Sequence, residues 1–383
     1  MKQFPYFDLS RHNTFRMKVR CALYLEIEKE EELLKLDWNA LPQPVMVLGG
    51  GSNLLFTGNY PGTVLHMAVG EPPLGGLVHP RTSVGGGARW IQVPEGDAGD
   101  NGRGRSERSE RSSSEGSFSH CEVTIPAGVV FDEFCAWAAQ EGLWGPENLS
   151  LIPGECGASA VQNIGAYGVE AKDIIAGIRA YDRLEGKFVD IDPADCEYGY
   201  RTSRFKTEWK GRFVITAVTY RLSKEPRPVL DYGGVRKALE AAGHTGELTP
   251  QIIRDTIIDI RRKKLPDPEE MGSAGSFFCN PVLSKEHFAN IEAIAREDNG
   301  PDYQVPHYEV GDRIKVPAAW MIEQCGFKGR RLGGAQVYPN QPLVIVNASG
   351  EASPEEIIGL EQQVIDGINA KYGITLHPEV EHV

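Results

Sequence analysis

The segment Gly272-Ser-Ala-Gly-Ser-Phe-Phe-Cys-Asn-Pro281 sets one hydroxyl, Ser276, beside two aromatic rings and an amide, in a stretch whose glycines let main chain approach a ligand closely. If extended, the segment alternates its side chains; the plain alternative is a Gly-rich turn entering a buried strand. A second candidate, Gly49-Gly-Gly-Ser-Asn53, follows the apolar run Val45-Met-Val-Leu48. Consecutive glycines there free backbone N–H groups to converge on a phosphate, and Ser52 and Asn53 add side-chain donors, so a pyrophosphate suits the loop. It is neither G-x-x-x-x-G-K-[ST] nor a complete G-x-G-x-x-[GA], which leaves a P-loop triphosphatase and a Rossmann domain poorly supported. Leu151 to Gly168 offers another backbone-rich surface, with Gly154, Gly165 and the amide pair Gln162-Asn163. Two such surfaces could hold one extended dinucleotide.

Three ionisable side chains stand near turn-like backbone: Arg201 in Tyr198–Phe205, Lys264 in Arg261–Pro268 and Glu379 in Leu376–Val380. Each also has a bland reading: a surface cation, a basic helix end complementing the dipole, and a solvated tail residue. Ser276 lacks the G-x-S-x-G elbow of a serine hydrolase.

Elements must hold these residues. Val45–Leu48 and Val64–Met67 read as strands around the triple-Gly loop, preceded by a helical segment from Lys29 to Leu36. Phe131 to Gly142 has helical spacing, and Phe213–Leu222 is a long β-branched strand. Thr249-Pro250 starts a helix with Thr as N-cap and Pro at the first position, followed by Ile253, Ile257 and Ile260 on one face. Ser353-Pro-Glu-Glu356 is a capping box, and Ile357, Leu360, Val364 and Ile368 form the buried stripe of the helix it opens. Between the strand-like runs Arg89–Val93 and Cys121–Ile125, residues from about 95 to 120 turn to Gly, Ser, Arg and Glu, a composition that predicts a disordered insertion. The whole reads as α+β.

At 383 residues the chain predicts two or three domains. Its net charge is -13 with no basic stripe, which argues against nucleic acid or an anionic membrane as partner. The seven cysteines are scattered and never spaced C-x-x-C, so neither a disulfide framework nor a metal site is indicated. With no apolar leader and no run of the roughly 18 apolar residues a membrane helix needs, a soluble cytoplasmic protein is expected, and separately a monomer.

Asn13-Thr-Phe15, Gly49–Asn53, Ile152-Pro-Gly154 with Gln162–Gly168, Tyr200-Arg201, Lys264–Pro268, Gly275–Phe278 with Asn280-Pro281, and Pro378-Glu-Val380 occur in an ordered series. In that series the chain resembles the UDP-N-acetylenolpyruvoylglucosamine reductases, flavoenzymes of peptidoglycan precursor synthesis. The resemblance implies a two-lobed FAD-binding domain of the vanillyl-alcohol-oxidase (PCMH) type over 1–226, with lobes of about 1–68 and 69–226. A C-terminal α+β substrate-binding domain over 227–383 would follow, and residues 373–383 would return to the active site. It implies non-covalent FAD, NADPH as co-substrate and UDP-N-acetylglucosamine enolpyruvate as substrate, with hydride delivered to C3 of the enolpyruvyl ether.

By the same resemblance Ser276 is the proton donor to C2, while Arg201 and Glu379 act on the substrate carboxylate. Gly49, Gly50, Gly51, Ser52, Asn53, Gly154, Gln162, Asn163, Gly165 and Ala166 hold FAD. Tyr200, Arg261, Lys264, Asn280, Tyr308 and Gln341 bind substrate, where cations and amides suit a diphosphate and a sugar. Val229-Leu-Asp-Tyr-Gly233 resembles the family form with a mobile tyrosine, which makes Tyr232 the lid. Glu155 departs from the pattern by placing a negative charge near the FAD pyrophosphate. Two readings compete: another flavin oxidoreductase on the same scaffold, and a flavin- or nucleotide-sugar-binding protein without turnover.

Overall fold

The computed structural model describes residues 1–68, 119–268 and 270–383. Its contacts divide the chain into two compact units, Met1–Met67 with Ile258–Val383, and Ala68–Ile257. Arg89–Val93 and nearly all of the segment from 95 to 120 lie outside the described residues.

In the first unit, strands Lys2–Asp8, Arg20–Ile27, Tyr60–Met67 and Val45–Val47 form one sheet in that order. The first pair is antiparallel and the other two are parallel. The expected helix at Lys29–Leu36 is a short 3₁₀ helix, Glu30–Lys35, that buries only Leu33. With one apolar anchor there is little to lengthen it. A second, antiparallel sheet joins Gly272–Ser273, Ile345–Asn347, Ala335–Val337 and Arg331–Leu332. Helix Pro354–Tyr372 packs on it, opened by the predicted box: Ser353 accepts from Glu356 N–H and Glu356 accepts from Ser353 N–H. Ile357, Leu360, Val364 and Ile368 are all fully buried, beside Phe15, Phe56, Phe277 and Phe278 in one apolar cluster.

The second unit is built on an antiparallel sheet ordered Lys187–Ile191, Ile175–Asp182, Phe213–Ser223 and His120–Pro126. Helix Phe131–Gln140 lies where its spacing predicts and ends at Gly142, whose φ of +70° suits only glycine comfortably. Phe134 stacks on Tyr220 at 4.4 Å between ring centres, and the Tyr220 hydroxyl hydrogen-bonds Ser159 on helix Cys156–Gln162. Helix Pro250–Lys264 starts with Thr249 accepting from Ile252 N–H at 3.2 Å, as its sequence predicts. The division between units falls inside this helix, at 257/258, and not near 226. The expected domains, 1–226 and 227–383, group the residues differently. Among the described residues no helix is long and apolar enough to cross a membrane.

Candidate active site

In the first unit the triple-Gly loop is shaped by the turn before it. Asn13 is buried, donates to Leu9 C=O and Met17 C=O, and accepts from Met17 N–H, which folds residues 9–17 into a tight support. Thr14 N–H then donates to Gly51 C=O at 3.1 Å. Gly51 has φ +61° and an added Cβ would lie 2.2 Å from His12 O, so this position admits only glycine. Gly50 opens onto a cleft of about 950 Å³ whose lining includes Arg11, Arg16, Lys18 and Arg20 against one carboxylate, Asp8. The cleft is locally cationic on a chain of net charge -13, with Lys18 paired to Glu351 at 2.6 Å.

Two distant segments close on this loop. Glu381–His382 pairs in parallel with Leu54–Leu55, Asn53 donates to Glu379 C=O at 3.1 Å, and Glu381 N–H donates to Asn53 C=O at 3.0 Å. Glu379 N–H donates to Phe277 C=O at 2.8 Å, and Cys279 N–H donates to His377 C=O at 2.9 Å. On its other side the Ser276 segment is fixed by Phe277 N–H to Leu343 C=O, 2.8 Å. Asn53, Ser276 and Glu379 therefore sit on three adjoining stretches of backbone, each half-buried. The expected alternation of side chains does not hold. Phe277 and Phe278 are both buried, because the segment turns at Gly275 (φ +70°) and is covered on both edges.

Around this centre Asn280 accepts from Ala318 N–H at 2.9 Å, so its amide oxygen anchors helix Ala318–Gln324. Gln341 lies two residues before Leu343, whose carbonyl holds the Ser276 segment. Tyr308 is exposed on strand Tyr308–Val310, paired in register with Lys315. Arg261 and Lys264 occupy the last turn of helix Pro250–Lys264, where cations also complement the helix dipole.

In the second unit Gly154 (φ +117°) accepts from Phe131 N–H, and Leu151 N–H is held by Asp132, itself paired with the buried Arg254 at 2.9 Å. Glu155 stands in extended conformation at the N-cap of helix Cys156–Gln162. That helix ends at Asn163 in the left-handed region, φ +47°. Asn163 is 0% exposed; it donates to Glu170 and to Gly199 C=O and accepts from Lys172 N–H. In this conformation Asn163 is enclosed by protein, and its hydrogen bonds shape the loop. Gln162 accepts from Lys206 Nζ at 2.7 Å, and Lys206 reaches Arg201 C=O at 3.4 Å. Arg201, at φ +58°, donates Nη2–H to Gly165 C=O at 2.6 Å and lies 5.5 Å from the Tyr200 ring. Gly165-Ala166 pairs with Val169-Glu170 as a small hairpin. An added Cβ at Gly168 would meet Tyr232 Cβ at 3.3 Å, which puts the expected lid residue on that hairpin's turn. Burial pushes the Cys135 and Cys156 thiols well up, which removes them as nucleophiles.

Lys206 and Asn148, whose amide donates to Tyr167 C=O and Val229 C=O, carry no sequence signal; each matters through partners far off in the chain.

The model of the UDP-N-acetylenolpyruvoylglucosamine reductase C-terminal domain matches residues 267–383, and that of an FAD binding domain matches residues 117–192. The UDP-N-acetylenolpyruvoylglucosamine reductase of Bacteroides fragilis is 40% identical over 380 residues, 98% of this chain and 99% of its own length. The chain belongs to the UDP-N-acetylenolpyruvoylglucosamine reductase family. The reductase of Paraburkholderia xenovorans is 38% identical over 97% of this chain and 95% of its own. The crystal structure of the Thermus caldophilus reductase covers 100% of this chain and 98% of its own at a TM-score of 0.59 and 19% identity, a likeness of fold. The fold is a PCMH-type FAD-binding domain joined to the family's C-terminal domain. As a member of this reductase family the chain is an FAD-dependent oxidoreductase that reduces UDP-N-acetylglucosamine enolpyruvate with NADPH in peptidoglycan synthesis.

Proposed function

We propose that Ser276 donates the proton to C2 of the enolpyruvyl group, while Arg201 and Glu379 hold its carboxylate and stabilise the enolate-like charge. The observation that carries this reading is the backbone bond from Glu379 to Phe277, which sets a carboxyl beside the Ser276 segment and both beside Asn53. Bound FAD supplies the hydride that passes from NADPH to C3. Gly49, Gly50, Gly51, Ser52 and Asn53 would hold its pyrophosphate through backbone and side-chain donors next to a cationic cleft, and Gly154, Gln162, Gly165 and Ala166 would offer further backbone and amide contacts. The donor set fits such a group, since Gly51 cannot carry a side chain and its loop is followed by two polar donors.

A serine hydroxyl is a weak acid, so its contribution rests on placement. Ser276 is held between Gly275, turned at φ +70°, and Phe277, fully buried and hydrogen-bonded on both sides. Arg201 is fixed through Gly165 C=O with a backbone strained by about 1–3 kcal/mol, a conformation kept where a side chain must point one way. Tyr200, Arg261, Lys264, Asn280, Tyr308 and Gln341 would bind the sugar and diphosphate, and Tyr232 would cover them. Residues 1–226 would form the cofactor domain, to which Tyr200 and Arg201 add substrate contacts, and residues 227–383 the substrate domain, in a cytoplasmic monomer without nucleic-acid or membrane partners.

The decisive experiment separates the two half-reactions of Ser276→Ala. NADPH should bleach the visible flavin band at close to the normal rate, while reoxidation by UDP-N-acetylglucosamine enolpyruvate slows by roughly 10² to 10⁴. Equal slowing of both halves would make Ser276 a shaper of the flavin pocket, and no slowing of either would return it to a structural residue.

A further inference from the structure

Asn148 is fully buried, and neither hydrogen bond that its amide donates ends on a residue assigned to cofactor or substrate. Its amide nitrogen donates to two carbonyls at 2.8 Å each: Tyr167, on the turn of the Gly165–Glu170 hairpin, and Val229, at the base of the segment that carries Tyr232. Both neighbours are acceptors, so the NH₂ end must face them. Among the described residues its Oδ1 has no partner. Keeping an amide buried with one atom unsatisfied is costly, and the two donated bonds must offset that cost. Residues 226–230 have no regular structure, and Asn148 is the side chain that grips Val229 C=O there.

The same joint is closed by packing. Tyr167 sits at φ +48°, and an added Cβ at Gly233 (φ +65°) would lie 2.6 Å from its ring. An added Cβ at Gly168 (φ +86°) would lie 3.1 Å from Val229 Cγ1 and 3.3 Å from Tyr232 Cβ. Tyr232 thus rides on a short arm with one end clamped at Val229 and the other at a Gly233-Gly234 turn, where both residues have positive φ.

We propose that Asn148 is a positioning residue for substrate, fastening the arm of Tyr232 to the hairpin that begins at Gly165-Ala166. The inference rests on the reading of Tyr232 as a substrate-covering residue, and a double-mutant cycle distinguishes the two. Asn148→Ala should raise KM for UDP-N-acetylglucosamine enolpyruvate roughly tenfold or more, with kcat within about threefold and flavin content unchanged. In a Tyr232→Ala background, itself raised in KM, Asn148→Ala should add little, because the two act through one arm. Additive effects, or an unchanged KM in Asn148→Ala while Tyr232→Ala raises it, overturn the role of Asn148. An unchanged KM in Tyr232→Ala overturns the lid reading instead, and the inference with it. Gly168→Ala reaches the joint from its exposed side and serves if Asn148→Ala does not fold. Its methyl presses on Val229 and Tyr232, so KM should rise by a similar factor with protein and flavin intact, and an unmoved KM refutes the joint.

Discussion

The two units fix their functional residues by different means. In the first, Ser276, Glu379 and Asn53 are located by backbone register: each bond that sets them runs between main-chain groups or ends on one. In the second, Arg201, Gln162 and the Tyr232 arm are located by side chains, with Asn163, Lys206 and Asn148 reaching across loops to hold carbonyls and amides. Strain follows the same division. Of the seven non-glycine residues with positive φ among those described, Leu151, Asn163, Tyr167, Glu197 and Arg201 belong to the second unit. Strand pairing leaves the side chains along it free to vary, whereas a loop held by an amide depends on that one residue.

The difference can be broken from either side. Removing Val380–Val383 while keeping Glu379 deletes the strand that ties the Glu379 segment to Asn53–Leu55. Turnover should fall by roughly 10² or more, as for a misplaced reacting group, whereas Glu381→Ala in the intact chain should leave kcat/KM within about threefold. A truncated protein with normal turnover would show that register is not what places Glu379.

Asn163→Ala tests the other mode. It strips Gly199 C=O and Lys172 N–H of their buried partner and leaves alanine at φ +47°. A loss of about 2–4 kcal/mol is expected, read as a lower denaturation midpoint at unchanged m-value. Asn163→Gly should recover only the backbone share, and full stability in the alanine variant would break the contrast.

The smallest effect concerns pH. His382 Nε2 lies 3.1 Å from Glu361, and the neighbouring carboxylate raises the imidazole above its ordinary value of 6.5. Because the folded value is the higher one, the stabilisation is complete below 6.5 and is lost as pH rises through the folded value. The imidazole is partly exposed and screened, so the difference between wild type and His382→Ala should be under about 1 kcal/mol at pH below 6.5 and vanish in alkaline buffer. A difference that grows with pH would reverse the assignment.

Local physics made much of the fold readable. The start at Thr249-Pro250, the box at Ser353–Glu356 and the stripe Ile357, Leu360, Val364 and Ile368 depend on neighbours within a turn or two, and the structure has all of them. The ordered motifs carried the family because chemistry needs those residue types together. What could not be read is non-local. Nothing in the spacing says that Glu381 pairs beside Asn53, that both edges of Gly275–Phe278 are covered so both rings go inside, or that Asn163 is sealed. Asn148 and Lys206 look like ordinary polar residues until their partners are known.

The first unit takes its backbone from both sides of a long intervening stretch, and its key clasp joins Asn53 to Glu379, 326 residues apart. At the usual elongation rate of about 5–20 residues per second, that gap is roughly 15 to 65 s of synthesis. During that time the triple-Gly loop exists without the strand that completes its edge. The triple-Gly loop and the carboxyl of Glu379 are therefore born separately, and a chain still being made carries the pieces of a reductase without being one.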